Sequence, residues 1–138
     1  MKKMLSFALA VLLLCTSLGV CCAESPVTRS SNYFHRYGAA MGDAGNGVLS
    51  ITFHCTGMGI CDQLGVASWS VDKLTDEGWV DVSGLRDGQT GSNVAAYTFG
   101  RYFYGVPGET YRVNVTFVCF MNGGCEFKSY TTARITMD

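Results

Sequence analysis

The chain has 138 residues, of which 48% are hydrophobic and only 15% charged, with 17 glycines, 2 prolines and 7 cysteines. That length suits one domain, and the apolar fraction together with glycines lacking a three-residue period excludes disordered and collagenous chains. A formal charge of −1 and a pI of about 6.1 leave no basic footprint for nucleic acid or an anionic membrane.

The first element is a targeting segment. Met1-Lys2-Lys3 is a short cationic start, Met4 to Val20 is apolar and uncharged, and Cys21 and Ala23 place small residues at −3 and −1 of a cleavage after Ala23. This is the pattern of a secretory signal peptide over 1–23. A retained membrane anchor is the competing reading, since the run nears the roughly 20 residues a span needs. A lipid anchor at Cys21 fits poorly behind Val20. Cleavage removes Cys15, Cys21 and Cys22 and leaves four cysteines, Cys55, Cys61, Cys119 and Cys125, an even set for an oxidising compartment. It also removes Lys2 and Lys3 but no acid, shifting 10 basic against 11 acidic side chains to a net charge of about −3, which suits solubility. The expected product is a secreted or cell-surface domain over 24–138 with no membrane span.

That domain reads as strands. An early strand is expected over 32–41. In the next, over 48–55, Leu49, Ile51, Phe53 and Cys55 share one face and Ser50, Thr52 and His54 the other, the period of a half-buried strand. Further strands are expected over 67–74, 79–83, 94–99 and, more weakly, 102–104. The stretch from Tyr111 to Cys119 alternates again, with every odd position apolar or aromatic, and a last strand is expected over 126–136. Asp43-Ala44-Gly45-Asn46-Gly47, Asp76-Glu77-Gly78, Val106-Pro107-Gly108 and Asn122-Gly123-Gly124 separate these segments. Asn and Gly tolerate the positive φ of tight turns. About seven short strands predict an all-β, antiparallel sandwich.

Trp69 lies 14 residues past Cys55 on the expected third strand, and Pro107-Gly108-Glu109-Thr110-Tyr111-Arg112-Val113-Asn114-Val115 opens the sixth. This order resembles the immunoglobulin-like and fibronectin type III sandwiches, in which a Trp sits in the core and a Tyr caps a corner through its hydroxyl. The resemblance implies structural roles for Trp69 and Tyr111. Cys119 comes eight residues after Tyr111 rather than two, so the mid-core bridge of antibody domains is not expected. The whole mature chain, through Arg29-Ser30-Ser31-Asn32-Tyr33-Phe34, Leu64-Gly65-Val66-Ala67, the Gly108–Phe117 strand and Tyr130-Thr131-Thr132, also resembles short secreted proteins of Gram-positive bacteria in families without an assigned function. That resemblance implies secretion and no catalysis.

Two segments echo each other: Phe53-His54-Cys55, five residues, then Cys61-Asp62; and Phe117-Val118-Cys119, five residues, then Cys125-Glu126. In a sandwich both lie at one end. All four cysteines are expected there as disulfides, with local bridges Cys55–Cys61 and Cys119–Cys125 or cross-loop pairing both open. A zinc site with His54 nearby is the alternative. The five-residue spacing and the signal peptide weigh against it. Met58, Ile60, Phe120 and Met121 within the loops either close the end of the core or form a contact patch for a protein or glycan.

The aromatic groups 33–37 and 101–104 offer stacking faces for sugar rings, although alternation turns half of each inward. No nucleophile elbow, zinc-protease helix motif or phosphate loop occurs, so no enzyme and no cofactor are expected. His35, His54, Asp72, Asp76 and Asp81 are the scattered residues a catalytic site would have to gather. Asp43 and Asn46 fall short of a calcium shell, and Asn114-Val115-Thr116 matches a glycosylation acceptor in mid-strand. The expected function is a secreted, non-catalytic binding or adhesion module. The rival is an envelope or matrix component that self-associates through a sheet edge.

Overall fold

A computed structural model describes residues 31–138. The expected signal segment 1–23, with Cys15, Cys21 and Cys22, lies outside the described residues. Within them all regular structure is β: β1 (Phe34–Asp43), β2 (Val48–Thr75), β3 (Gly78–Asp81), β4 (Arg86–Asp87), β5 (Thr90–Tyr104), β6 (Thr110–Met121), β7 (Gly124–Thr131) and β8 (Ile135–Thr136). Every pairing is antiparallel, and the sheet curls around a single core.

The alternating stretches bury the residues their period selects. Leu49, Ile51, Phe53 and Cys55 are inside on β2, and Tyr111, Val113, Val115, Phe117 and Cys119 are inside on β6. Each such side chain leaves water for an apolar neighbour, a transfer that stabilises by about 1.5–3 kcal/mol for a large aliphatic or aromatic group. The expected strands at 48–55 and 67–74 are one strand. The chain bends between them without leaving the sheet: β2 pairs with β5 at Thr56↔Ala96 and resumes at Cys61↔Val94, so it carries extra residues through a bulge. Before the bulge its partners are β1 and β5; after it they are β6 on one side and β3, β4 and the start of β5 on the other. The halves of β2 thus come to face each other, with the Phe53 and Trp69 rings 5.6 Å apart, while Tyr37 of β1 meets Phe117 of β6 at 5.7 Å. The segments expected at 94–99 and 102–104 are likewise one strand, since Gly100 stays in register opposite Thr52.

Trp69 is 3% exposed and donates its indole N–H to the Asp87 carbonyl at 3.3 Å. Tyr111 is buried edge-on to Phe103, and its hydroxyl accepts the Val106 N–H at 2.8 Å. The loop between β5 and β6 is seated there, with the Gly108 N–H donating to the Met137 carbonyl. Between β6 and β7 the turn is two residues long, Asn122 at φ 53° and Gly123 at φ 77°, the left-handed pair that suits a hairpin.

Candidate functional site

The β2 bulge and the β6–β7 turn meet at one end of the molecule. Cys55, Cys61 and Cys119 are buried there as free thiols, with the Cys61 and Cys119 sulfurs 3.2 Å apart. Gly57 makes the bend possible: a Cβ on it would lie 2.3 Å from the Cys61 Sγ. Burial, reinforced by Cys61, pushes the Cys55 thiol up to about 12. Burial, the Cys61 hydrogen bond and neighbouring charge push Cys119 up to about 12 as well. Both are therefore protonated near neutral pH, where a thiol is a weak nucleophile.

Three of the four candidate cysteines are brought together as thiols, where disulfides were expected. Because the turn spans only Asn122 and Gly123, Cys119 stands opposite Glu126 and Cys125 opposite Phe120. Cys119 and Cys125 therefore leave opposite faces of the hairpin, and the local Cys119–Cys125 bridge expected from a five-residue loop has no geometry. His54 points away from Cys55 toward Gly38. Among the described residues no group of three His, Cys, Asp or Glu is placed to hold a metal ion.

Of the candidate tip residues, Met58 (59%), Ile60 (71%) and Phe120 (36%) are exposed, whereas Met121 packs against the core. Its Cε comes within 3.2 Å of where a Cβ on Gly59 would be, which places it against the segment carrying Met58 and Ile60. The tip is pinned by Tyr33 and Glu126, which the sequence offered only as an aromatic for stacking and as the acid after Cys125. The Tyr33 carbonyl accepts the Met58 N–H at 2.7 Å, its ring hydroxyl packs on Gly124, and its N–H donates to Glu126 Oε2 at 3.0 Å. Glu126 also accepts from Ser31 Oγ at 2.8 Å and pairs with Lys128 at 3.1 Å. Burial opposes its charge, but these hydrogen bonds and the ammonium together hold its carboxyl below the usual carboxylate range.

Elsewhere Asp72, Asp81 and Asp43 are engaged by other groups. Asp72, 8% exposed, accepts Arg112 Nε at 2.9 Å and Asn114 Nδ2 at 2.8 Å, and Arg112 lies 4.3 Å from the Trp79 ring centre. The Asn114 amide oxygen takes the Thr131 hydroxyl, so both ends of the candidate glycosylation amide are engaged. Asp81 caps the Ser83 and Gly84 N–H groups. Asp43 is held by the Asp138 and Gly45 N–H groups, which lower its carboxyl and occupy the oxygens a calcium ion would use. A shallow groove of about 250 Å³ crosses the outer face, lined by Ser68, Ser70, Asn114, Thr116, Ser129 and Leu85 among others. In the aromatic groups Phe34 and Phe103 turn inward, leaving Tyr102 (65%) and Tyr104 (81%) exposed on β5.

No family model matches the chain, and no curated protein matches it. A solved crystal structure of a protein from Archaeoglobus fulgidus is similar to it with a TM-score of 0.41 at 10% identity, over 76% of this chain and 98% of that one.

Proposed function

We propose that this chain is a secreted, non-catalytic binding module that meets a protein or glycan ligand through its tip. The observation that carries the reading is the exposure of Met58, Ile60 and Phe120, each at the end where β2 bends over the buried thiols. Apolar groups cost free energy in water, and exposed ones held out on a glycine-containing bend and the neighbouring strand end offer contact to a partner. An immunoglobulin-like sandwich after removal of 1–23 is part of the same proposal. It is supported by β1–β2–β5 ladders on one side and β3–β2–β6–β7 ladders on the other. The Tyr111 hydroxyl on Val106 and the buried Trp69 agree with the corner and core of such domains.

The test is the triple variant M58S/I60S/F120S, applied as labelled domain to intact producing cells and to their detached wall glycan. Loss of at least tenfold in binding with an unchanged melting temperature supports the tip. Undiminished binding by a folded variant refutes it.

Self-association is the second reading. Among the described residues β5 pairs with β2 alone, so its 15 residues present a free edge carrying Tyr102 and Tyr104. Sedimentation that shifts with concentration would favour the edge over the tip.

A further inference from the structure

We infer that Cys61 and Cys119 are the residues of a covalent cross-link between β2 and β6, and that Cys55 remains a thiol beside it. Three pairings are possible for these neighbouring groups, and geometry separates them. The Cys61 and Cys119 sulfurs already touch at 3.2 Å, about 1.2 Å from the length of a disulfide bond. Cys55 directs its sulfur toward the Tyr97 carbonyl at 3.8 Å. Cys125 leaves the other face of the hairpin. β2 and β6 are hydrogen-bonded neighbours, with Leu64 opposite Cys119 and the ladder ending at Gln63↔Phe120, so the bond ties the bend of β2, where Cys61 lies, to the end of β6 at the base of the tip.

The reaction takes two electrons from the protein and needs an acceptor, which is a small-molecule disulfide such as glutathione disulfide. One cysteine thiolate attacks it, forming a mixed disulfide and releasing one glutathione thiolate. The second cysteine then attacks the bonded protein sulfur and releases the other. Two glutathione thiols and one protein disulfide result, and the two protons lost by the cysteines end on the glutathiones. Both sulfurs are fully buried in the folded chain, so the bond closes while the bend is still open and is afterwards shielded from exchange. The cross-link rests on the export reading only for its oxidant.

The experiment refolds the purified chain in glutathione disulfide, alkylates remaining thiols, and cleaves with cyanogen bromide and then trypsin. Met41, Met58, Met121, Lys73, Arg112 and Lys128 put the four cysteines on separate peptides, 42–58, 59–73, 113–121 and 122–128. Expected is a reduction-sensitive species joining 59–73 to 113–121, with 42–58 alkylated. Any link from 42–58 to either of them, or alkylation of all three, overturns the assignment. Cys55→Ser should keep the link and Cys61→Ser abolish it; if a variant does not fold, the wild-type map still decides. Because the oxidant is supplied, a failure here reflects the geometry. A failure of the export reading appears separately, as absence of the chain from the culture medium although the link has formed in vitro.

Discussion

Tyr111→Phe removes one oxygen atom and leaves the ring in place. The ring keeps its contact with Phe103 and its place beneath Gly105, where an added Cβ would already lie 2.9 Å from it. What is lost is the 2.8 Å acceptor for the Val106 N–H. A buried donor left without its partner costs about 1–3 kcal/mol. Val106 itself is 56% exposed, so water recovers part of the loss and the low end applies, about 1–1.5 kcal/mol. A domain of this size unfolds with an entropy of about 0.24 kcal/mol/K near 60 °C, which converts the loss to a fall in Tm of about 4–6 °C. Calorimetry on the two proteins measures it. Tyr111→Ala should cost a further 2–3 kcal/mol or so, because it also opens a cavity. A Phe variant melting within about 1 °C of wild type would refute the corner hydrogen bond as a stabilising contact.

Gly57→Ala should lower the urea midpoint by an amount worth roughly 2 kcal/mol, since its Cβ would collide with the Cys61 sulfur and the Gly59 carbonyl; an unchanged midpoint would mean the bend has room. Glu126 has a carboxyl held below its unfolded value, so its contribution is present above the unfolded pKa and is lost as pH falls through the lower folded one. Glu126→Gln should accordingly flatten the loss of stability between neutral and acid pH, read as urea midpoints along a pH series. A double-mutant cycle on Asp72 and Arg112 should give a coupling of about 1 kcal/mol, discounted for the 30% exposure of the Arg112 side chain; a coupling of zero would make the pair incidental. Oxidation of Cys61 and Cys119, which are 58 residues apart, should stabilise by about 4 kcal/mol in the chain-entropy estimate, against the roughly 2–3 of a short local loop. Denaturant curves with and without reductant compare the two.

The strands at 48–55 and 111–119 were legible because one face of each is buried and the side-chain period is two, so Leu49 to Cys55 and Tyr111 to Cys119 announce themselves. The turns at Gly45 to Gly47 and at Asn122 to Gly123 were legible for a conformational reason: their φ angles are positive. The continuity of β2 was not. Gly57 and Gly59 look like loop residues, and only the partners across the sheet determine that they bulge rather than turn. The cysteine geometry failed for a related reason. A turn two residues long instead of five flips which face Cys125 takes relative to Cys119, and a shift of one residue reverses a strand's faces. The contact of Tyr33 with Glu126 was not legible because it spans 93 positions of chain, and nothing local to either residue encodes it.

The long second strand gives the domain a single point of accountability in folding. It forms ladders with five other strands, β1, β3, β4, β5 and β6, so no subset of strands makes a finished core without it. The two longest of those ladders, with β5 and β6, join distant stretches of chain, the kind of topology that folds in milliseconds to seconds rather than microseconds. The amides in the middle of β2 should then exchange with solvent only when the whole molecule opens, while β8 and the β6–β7 turn breathe on their own. A protease or a mechanical pull that detaches an outer strand would leave this spine in place, and the remaining ladders would hold the molecule together until β2 itself gives way.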